Sequence, residues 1–169
     1  MKLFALATAA MVALATPVAA QETFTATLTN DHEIAQNWNS ILDAQGEVLI
    51  IVDGDNVEIV IEVDGITAAD LATEMPGPFH IHNFPQGGEN FIVQGFDWNI
   101  TDTDTGILVT AQGPAPDALT GQDFDFVVEE MRNGNAYFAV HTVGEDCTDV
   151  TGETTWCAAP MTALAGTLE

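Results

Sequence analysis

Two of the chain's four histidines stand in the segment Phe79-His80-Ile81-His82. Side chains of a β-strand alternate between faces, so His80 and His82 point to one side and Phe79 and Ile81 to the other. Two imidazoles one strand step apart are a ready pair of nitrogen ligands for a transition metal. A third histidine lies near the end of Ala136-Tyr137-Phe138-Ala139-Val140-His141-Thr142. There His141 shares a face with Tyr137 and Ala139, and Phe138 and Val140 point the other way. If these runs meet, His80, His82 and His141 form a three-nitrogen site. Three imidazoles with an open position or a water suit copper or zinc. Nitrogens within about 4 Å of one another would fit one ion at roughly 2.0–2.1 Å per bond. The plain alternative is that these imidazoles hydrogen-bond to backbone and orient loops.

The ends and the composition set the surroundings of such a site. Residues 1–20 read as a cleaved secretory signal: Lys2, an apolar run from Leu3 to Ala15, then Val18-Ala19-Ala20 before Gln21. An N-terminal anchor helix would need a longer apolar run, and no later stretch is long and apolar enough to span a bilayer. Residues 21–169 suit one domain with its own core, placed outside the cytoplasm as a secreted or periplasmic protein. The formal net charge is −24, and once Lys2 is removed Arg132 is the sole Lys or Arg against 26 acidic side chains. Such a charge repels nucleic acid and anionic membrane surfaces. It also strains the compact state by self-repulsion, which favours a salty medium or bound divalent cations. In an exported chain the pair Cys147 and Cys157 reads as a disulfide, closing a short loop worth about 2.5–3 kcal/mol. Two thiolate metal ligands are the alternative.

The elements that must position the histidines are mostly strands. Thr23 to Thr29 alternates strictly, with Phe24, Ala26 and Leu28 on one face and four threonines on the other. Glu47–Val52 and Val57–Val63, joined by Asp53-Gly54-Asp55-Asn56, read as a hairpin. Phe79–His82, Phe91–Gln94, Ile107–Ala111, the run ending at Thr142, and Ala163–Leu168 complete the strands; Pro85–Gly88 and the acidic stretch Thr101–Gly106 are turns. A capping box at Thr67–Asp70 predicts a short helix through Glu74, stopped by Pro76 and Gly77. A second box at Thr120–Asp123 precedes Phe124, Val127, Val128 and Met131 at helical spacing, with Gly134 as terminator. A strand over Phe124–Val128 is the competing assignment. Pro114–Pro116 marks a loop. The pattern predicts an all-β, Greek-key β-sandwich or barrel of immunoglobulin-like type with one or two short helices. Asp53–Asn56 and Asp102–Thr105 offer oxygen ligands for calcium, but solvated turn carboxylates fit their spacing better. Trp38, Trp98 and Trp156 read as core or sheet-face packing.

The chain resembles the CHRD (chordin-type) domain family, a module common in bacterial exported proteins. The residues that carry the likeness are Phe24-Thr25-Ala26-Thr27-Leu28, Glu33, Phe79-His80-Ile81-His82, Gly134-Asn135 leading into Ala136–Thr142, and Gly166-Thr167-Leu168. Thr162-Ala163-Leu164-Ala165-Gly166 lacks the Glu and Arg that often close the family pattern. The resemblance brings the end of the first strand near the sheet, which makes His32, beside Glu33, a possible fourth metal ligand. The family is in turn similar in fold to Cu,Zn superoxide dismutase, and that likeness makes His80, His82 and His141 a copper trio. The bridging histidine, the zinc cluster and the late arginine of that enzyme have no counterparts here.

Three functions follow as expectations. The first is an exported CHRD-domain protein that binds copper or zinc through the three histidines, with no established turnover. The second is a copper-dependent, superoxide-dismutase-like oxidoreductase; its anionic substrate would be repelled by this charge. The third is a structural or interaction module without metal. The sequence names no protein partner.

Overall fold

A computed structural model of the chain describes residues 21–37, 42–72, 77–84, 92–143 and 161–169. Residues 1–20, Trp38, Pro85–Gly88, Cys147, Trp156 and Cys157 lie outside the described residues, so the signal, turn and disulfide readings made on them do too.

Period-two sequence makes the first three strands. In β1 (Glu22–Thr29) Phe24, Ala26 and Leu28 are buried while Thr23, Thr25 and Thr27 face out. The helix α1 (Glu33–Asn37) follows, and then the hairpin of β2 (Gln45–Asp53) and β3 (Asn56–Asp64). Its turn holds Gly54 at φ 57° and pairs Asp53 with Asn56. Val48, Ile50 and Val52 lie beside Val57, Ile59 and Ile61 on the inner face. On the outer face Glu47 stands directly opposite Glu62. A like-charge pair there opposes the pairing.

The remaining strands are β4 (Phe79–Asn83), β5 (Ile92–Val93), β6 (Asn99–Asp102), β7 (Gly106–Pro114), β8 (Ala136–Thr142) and β9 (Met161–Thr167). Among the described residues all pairings are antiparallel, in one nine-stranded sheet of order β5-β4-β8-β9-β1-β2-β3-β7-β6. The sheet curls into a half-barrel. One cluster of buried side chains therefore joins Phe24, Ile50, Ile59 and Val109 from one half to Phe79, Ile81, Phe138 and Leu164 from the other. The helix α2 (Phe124–Arg132) adds Phe124, Val127, Val128 and Met131 to the same core. Trp98 meets Phe79 edge-on at 5.1 Å. The expected all-β architecture with one or two short helices is what the described residues show, built as one continuous curled sheet.

Three local expectations are corrected. Of the helix predicted from Thr67 to Glu74, the described residues hold only a single 3₁₀ turn, Ala68–Asp70, and residues 73–76 lie outside the described residues. The capping box exists, since the Asp70 carboxylate accepts from both the amide and the hydroxyl of Thr67. The next residues leave the helix because Leu71 bridges to Thr142 and Ala72 donates to the His141 carbonyl; sheet pairing outweighs one more helical turn. The acidic stretch from Thr101 to Gly106 is partly strand: β6 pairs with β7, and only Thr103–Thr105 turn. The cap of α2 is Asp123, whose side chain accepts from the Phe126 amide at 3.0 Å, while the Thr120 hydroxyl donates to the Gln122 side-chain oxygen.

The two halves of the sheet join where β9 crosses β1. Thr29 pairs with Ala165, and Thr25 and Glu169 exchange both backbone hydrogen bonds at 2.9 and 3.0 Å. Gly166 makes the crossing possible, because a Cβ there would lie 2.2 Å from the Thr27 carbonyl oxygen. Gly166→Ala should cost about 1–3 kcal/mol through forced backbone displacement. Gly113→Ala, with nothing within 4 Å of its Cβ position, should stay within about 0.5 kcal/mol of the parent. Thermal melts of the two variants check this, and equal melting temperatures would contradict the close approach of β9 to β1.

Candidate metal centre

Strand alternation builds the site. In β4, Phe79 and Ile81 are 1% and 0% exposed in the core, so His80 and His82 take the opposite face. Pairing with β8 places Ala139 opposite His80 and Tyr137 opposite His82. Ala139 is small, which leaves room for an imidazole beside it. His141, two residues beyond Ala139, shares that face by alternation, and the β8–β9 ladder shifts register beside it, where Val140 pairs with Leu164 and His141 with Thr162. The residue skipped by that shift, Ala163, lies on β9, so His141 keeps its place in the alternation of β8. The backbone of His141 is held from two directions, with its amide donating to the Pro78 carbonyl at 2.8 Å and its carbonyl accepting from the Ala72 amide at 3.0 Å. The unexpected strand-like exit after the 3₁₀ turn therefore serves the site.

The three rings converge. Centroid distances are 4.6 Å between His80 and His141, 5.4 Å between His80 and His82, and 6.0 Å between His82 and His141. One ring nitrogen from each lies within 4.8 Å of the others. That is wider than the 4 Å expected from bond lengths. Ligands on a tetrahedral ion stand about 3.3–3.4 Å apart, so binding requires small ring rotations inward. His80 and His141 are buried and His82 is partly buried. Burial first, and then the neighbouring His80 and His141 rings, push the His82 pKa down to about 3. At neutral pH His82 is therefore uncharged and offers a nitrogen lone pair, the state a metal ligand requires.

His32 lies apart from this group. Its Nδ1 accepts from the Ile34 amide at 3.3 Å, which leaves Nε2 to donate to the Thr167 hydroxyl at 3.2 Å. Its ring packs on Tyr137 at 6.1 Å and on Phe84 at 5.9 Å, and Tyr137 in turn stacks on His82. Partial burial lowers its pKa against the opposing pull of Glu33. The structure thus brings His80, His82 and His141 together and sets His32 behind a tyrosine ring. The sequence pattern carries no signal for Phe84 and places Tyr137 only on the face of His141. The chain order gives no sign that Tyr137 pairs with His82, because the β4–β8 register joins residues far apart in sequence.

The depressed His82 pKa ties stability to pH. The unfolded chain takes up this proton near pH 6.5, whereas the folded chain resists it until about pH 3. Stability is complete above pH 6.5 and falls as the pH drops through that window, by about 1.4 kcal/mol for each pH unit crossed. Melting temperatures of the metal-free protein at pH 7 and pH 4.5, compared with those of His82→Gln, isolate this contribution. Carboxylate protonation acts on both proteins and cancels in the difference. The parent should lose more stability than the variant, and equal losses would contradict a neutral, desolvated His82.

Comparisons with known proteins bear on the origin of this arrangement. No curated protein and no solved structure matches the chain. The likeness to Cu,Zn superoxide dismutase suggested by the histidine motifs is not borne out. A family model described as the CHRD domain matches residues 24–148, a span that includes all three clustered histidines and stops before β9. With most of its length inside that match, the chain belongs to the CHRD domain family.

Proposed function

We propose that this CHRD-domain protein binds a single copper or zinc ion through His80, His82 and His141, in the exported setting that its first twenty residues suggest. The observation that carries the reading is the convergence of three imidazoles, one nitrogen of each within 4.8 Å of the others. The donor set fits: imidazole is a ligand of intermediate softness that suits copper and zinc, and three such nitrogens leave a coordination position for water or another small ligand. The protein's acidity adds to this by raising the local concentration of cations.

Turnover of superoxide is not part of the proposal. Arg132, the sole Lys or Arg among the described residues, is engaged by both oxygens of Glu22, at 2.6 and 2.5 Å, and by Glu129 at 2.9 Å. Its charge is spent on tying α2 to β1 and builds no attractive field for an anion. The competing reading is a structural or interaction module in which the histidines hold the fold without a metal.

Isothermal titration of protein made without a histidine tag separates the two. One equivalent of Cu(II) or Zn(II) should bind, and His82→Ala should weaken binding at least about tenfold. His82 is the residue to change because it is the least buried of the three, so its loss disturbs the fold least. Equal affinity of parent and variant would remove the site.

A further inference from the structure

His82 is the ligand that burial alone does not hold. His80 and His141 are 1% and 7% exposed, whereas His82 is only partly buried and stands one residue from the end of β4. What faces it is Tyr137, its direct partner across the β4–β8 ladder. The two rings lie nearly parallel, at 11° with centroids 5.2 Å apart. Tyr137 is itself confined. Phe84 packs on it at 5.2 Å and 49°, and His32 at 6.1 Å and 34°. Phe84 and His32 also stack on one another at 5.9 Å. His32 is anchored by the Ile34 amide and the Thr167 hydroxyl. The phenol ring is thus a wall with its own support, and its backbone lies in β8 between β4 and β9.

The lone pair of an imidazole nitrogen lies in the plane of its ring. Whatever fixes that plane decides where the lone pair can point. A parallel ring against one face of His82 resists rotation about the bond that would swing its nitrogen away from His80 and His141. We infer that Tyr137 is a positioning residue of the metal centre, holding the His82 ring in the plane from which its nitrogen reaches the ion shared with the other two histidines. The inference rests on the metal-binding reading above. It also explains why His32 and Phe84 gather where no ligand is needed: they brace the brace. Ordering a ligand before binding removes part of the conformational cost of forming the complex, and partners of this kind typically change metal affinity by about 10–100-fold.

The role belongs to the ring face and not to the hydroxyl, which sets the test. Affinity for Cu(II) is measured by competition with a chromophoric chelator on tag-free protein, and bound nitrogens are counted from the hyperfine structure of the Cu(II) electron paramagnetic resonance spectrum. Tyr137→Leu should bind about tenfold or more weakly and show two coordinated imidazoles in place of three, with an unchanged circular dichroism spectrum. Tyr137→Phe should restore both the affinity and the third nitrogen. Parent-like affinity with three nitrogens in Tyr137→Leu would overturn the positioning role and leave the metal site standing. Failure of the parent to bind, or equal binding by His82→Ala, would overturn the metal reading and the positioning role together. If Tyr137→Leu does not fold, Phe84→Leu, which removes a ring supporting Tyr137, replaces it; weaker binding supports the role and unchanged binding with three nitrogens overturns it.

Discussion

The antiparallel pairing of β4 with β8 is the interaction on which the rest depends. Its register sets Phe79 beside Val140 and Ile81 beside Phe138, all at most 1% exposed in the main core. Each such side chain contributes about 1.5–3 kcal/mol by leaving water. The same register, on the other face, sets His80 beside Ala139 and His82 beside Tyr137. A one-residue slip would exchange the faces, sending imidazoles into the core and phenylalanines onto the candidate site. The core therefore stabilises the site geometry indirectly: the apolar residues that hold the strands in register also decide which histidines meet.

Electrostatics pull in two directions. A chain of net charge −24 gains nothing from compaction of its charges, and features such as the Glu47–Glu62 cross-strand pair add local repulsion. The centre itself is different. Neutral imidazoles can be buried at moderate cost, whereas a buried cluster of imidazolium ions could not. The depressed pKa of His82 expresses that cost. A bound cation would reverse the sign, turning closely packed lone pairs from a burden into ligands within a protein whose overall field favours positive charge.

Much of the fold was legible because its period is unbroken. Phe24-Ala26-Leu28 and Val57-Ile59-Ile61-Val63 alternate without exception, and α2 carries Phe124, Val127, Val128 and Met131 at helical spacing, so the strand reading of Phe124–Val128 fails. What was hidden depends on partners distant in sequence. Asn99–Asp102 has little apolar pattern and is a strand only because β7 lies beside it. Leu71 and Ala72 abandon a well-capped helix because the end of β8 offers them backbone partners. The site shows the same division. That His80 and His82 share a face follows from strand geometry alone. That His141 joins them requires the pairing of β4 with β8. His32 was drawn to the site by analogy and stands instead behind Tyr137, its nitrogens occupied by Ile34 and Thr167.

The central claim is that three strand-borne imidazoles close around one ion. X-ray absorption at the metal edge of protein loaded with one equivalent of copper or zinc tests it most directly. An ion held by His80, His82 and His141 shows a first shell containing three imidazole nitrogens at about 2.0–2.1 Å, with the multiple-scattering pattern of histidine rings. A shell made of oxygen ligands, with one imidazole or none, would contradict it.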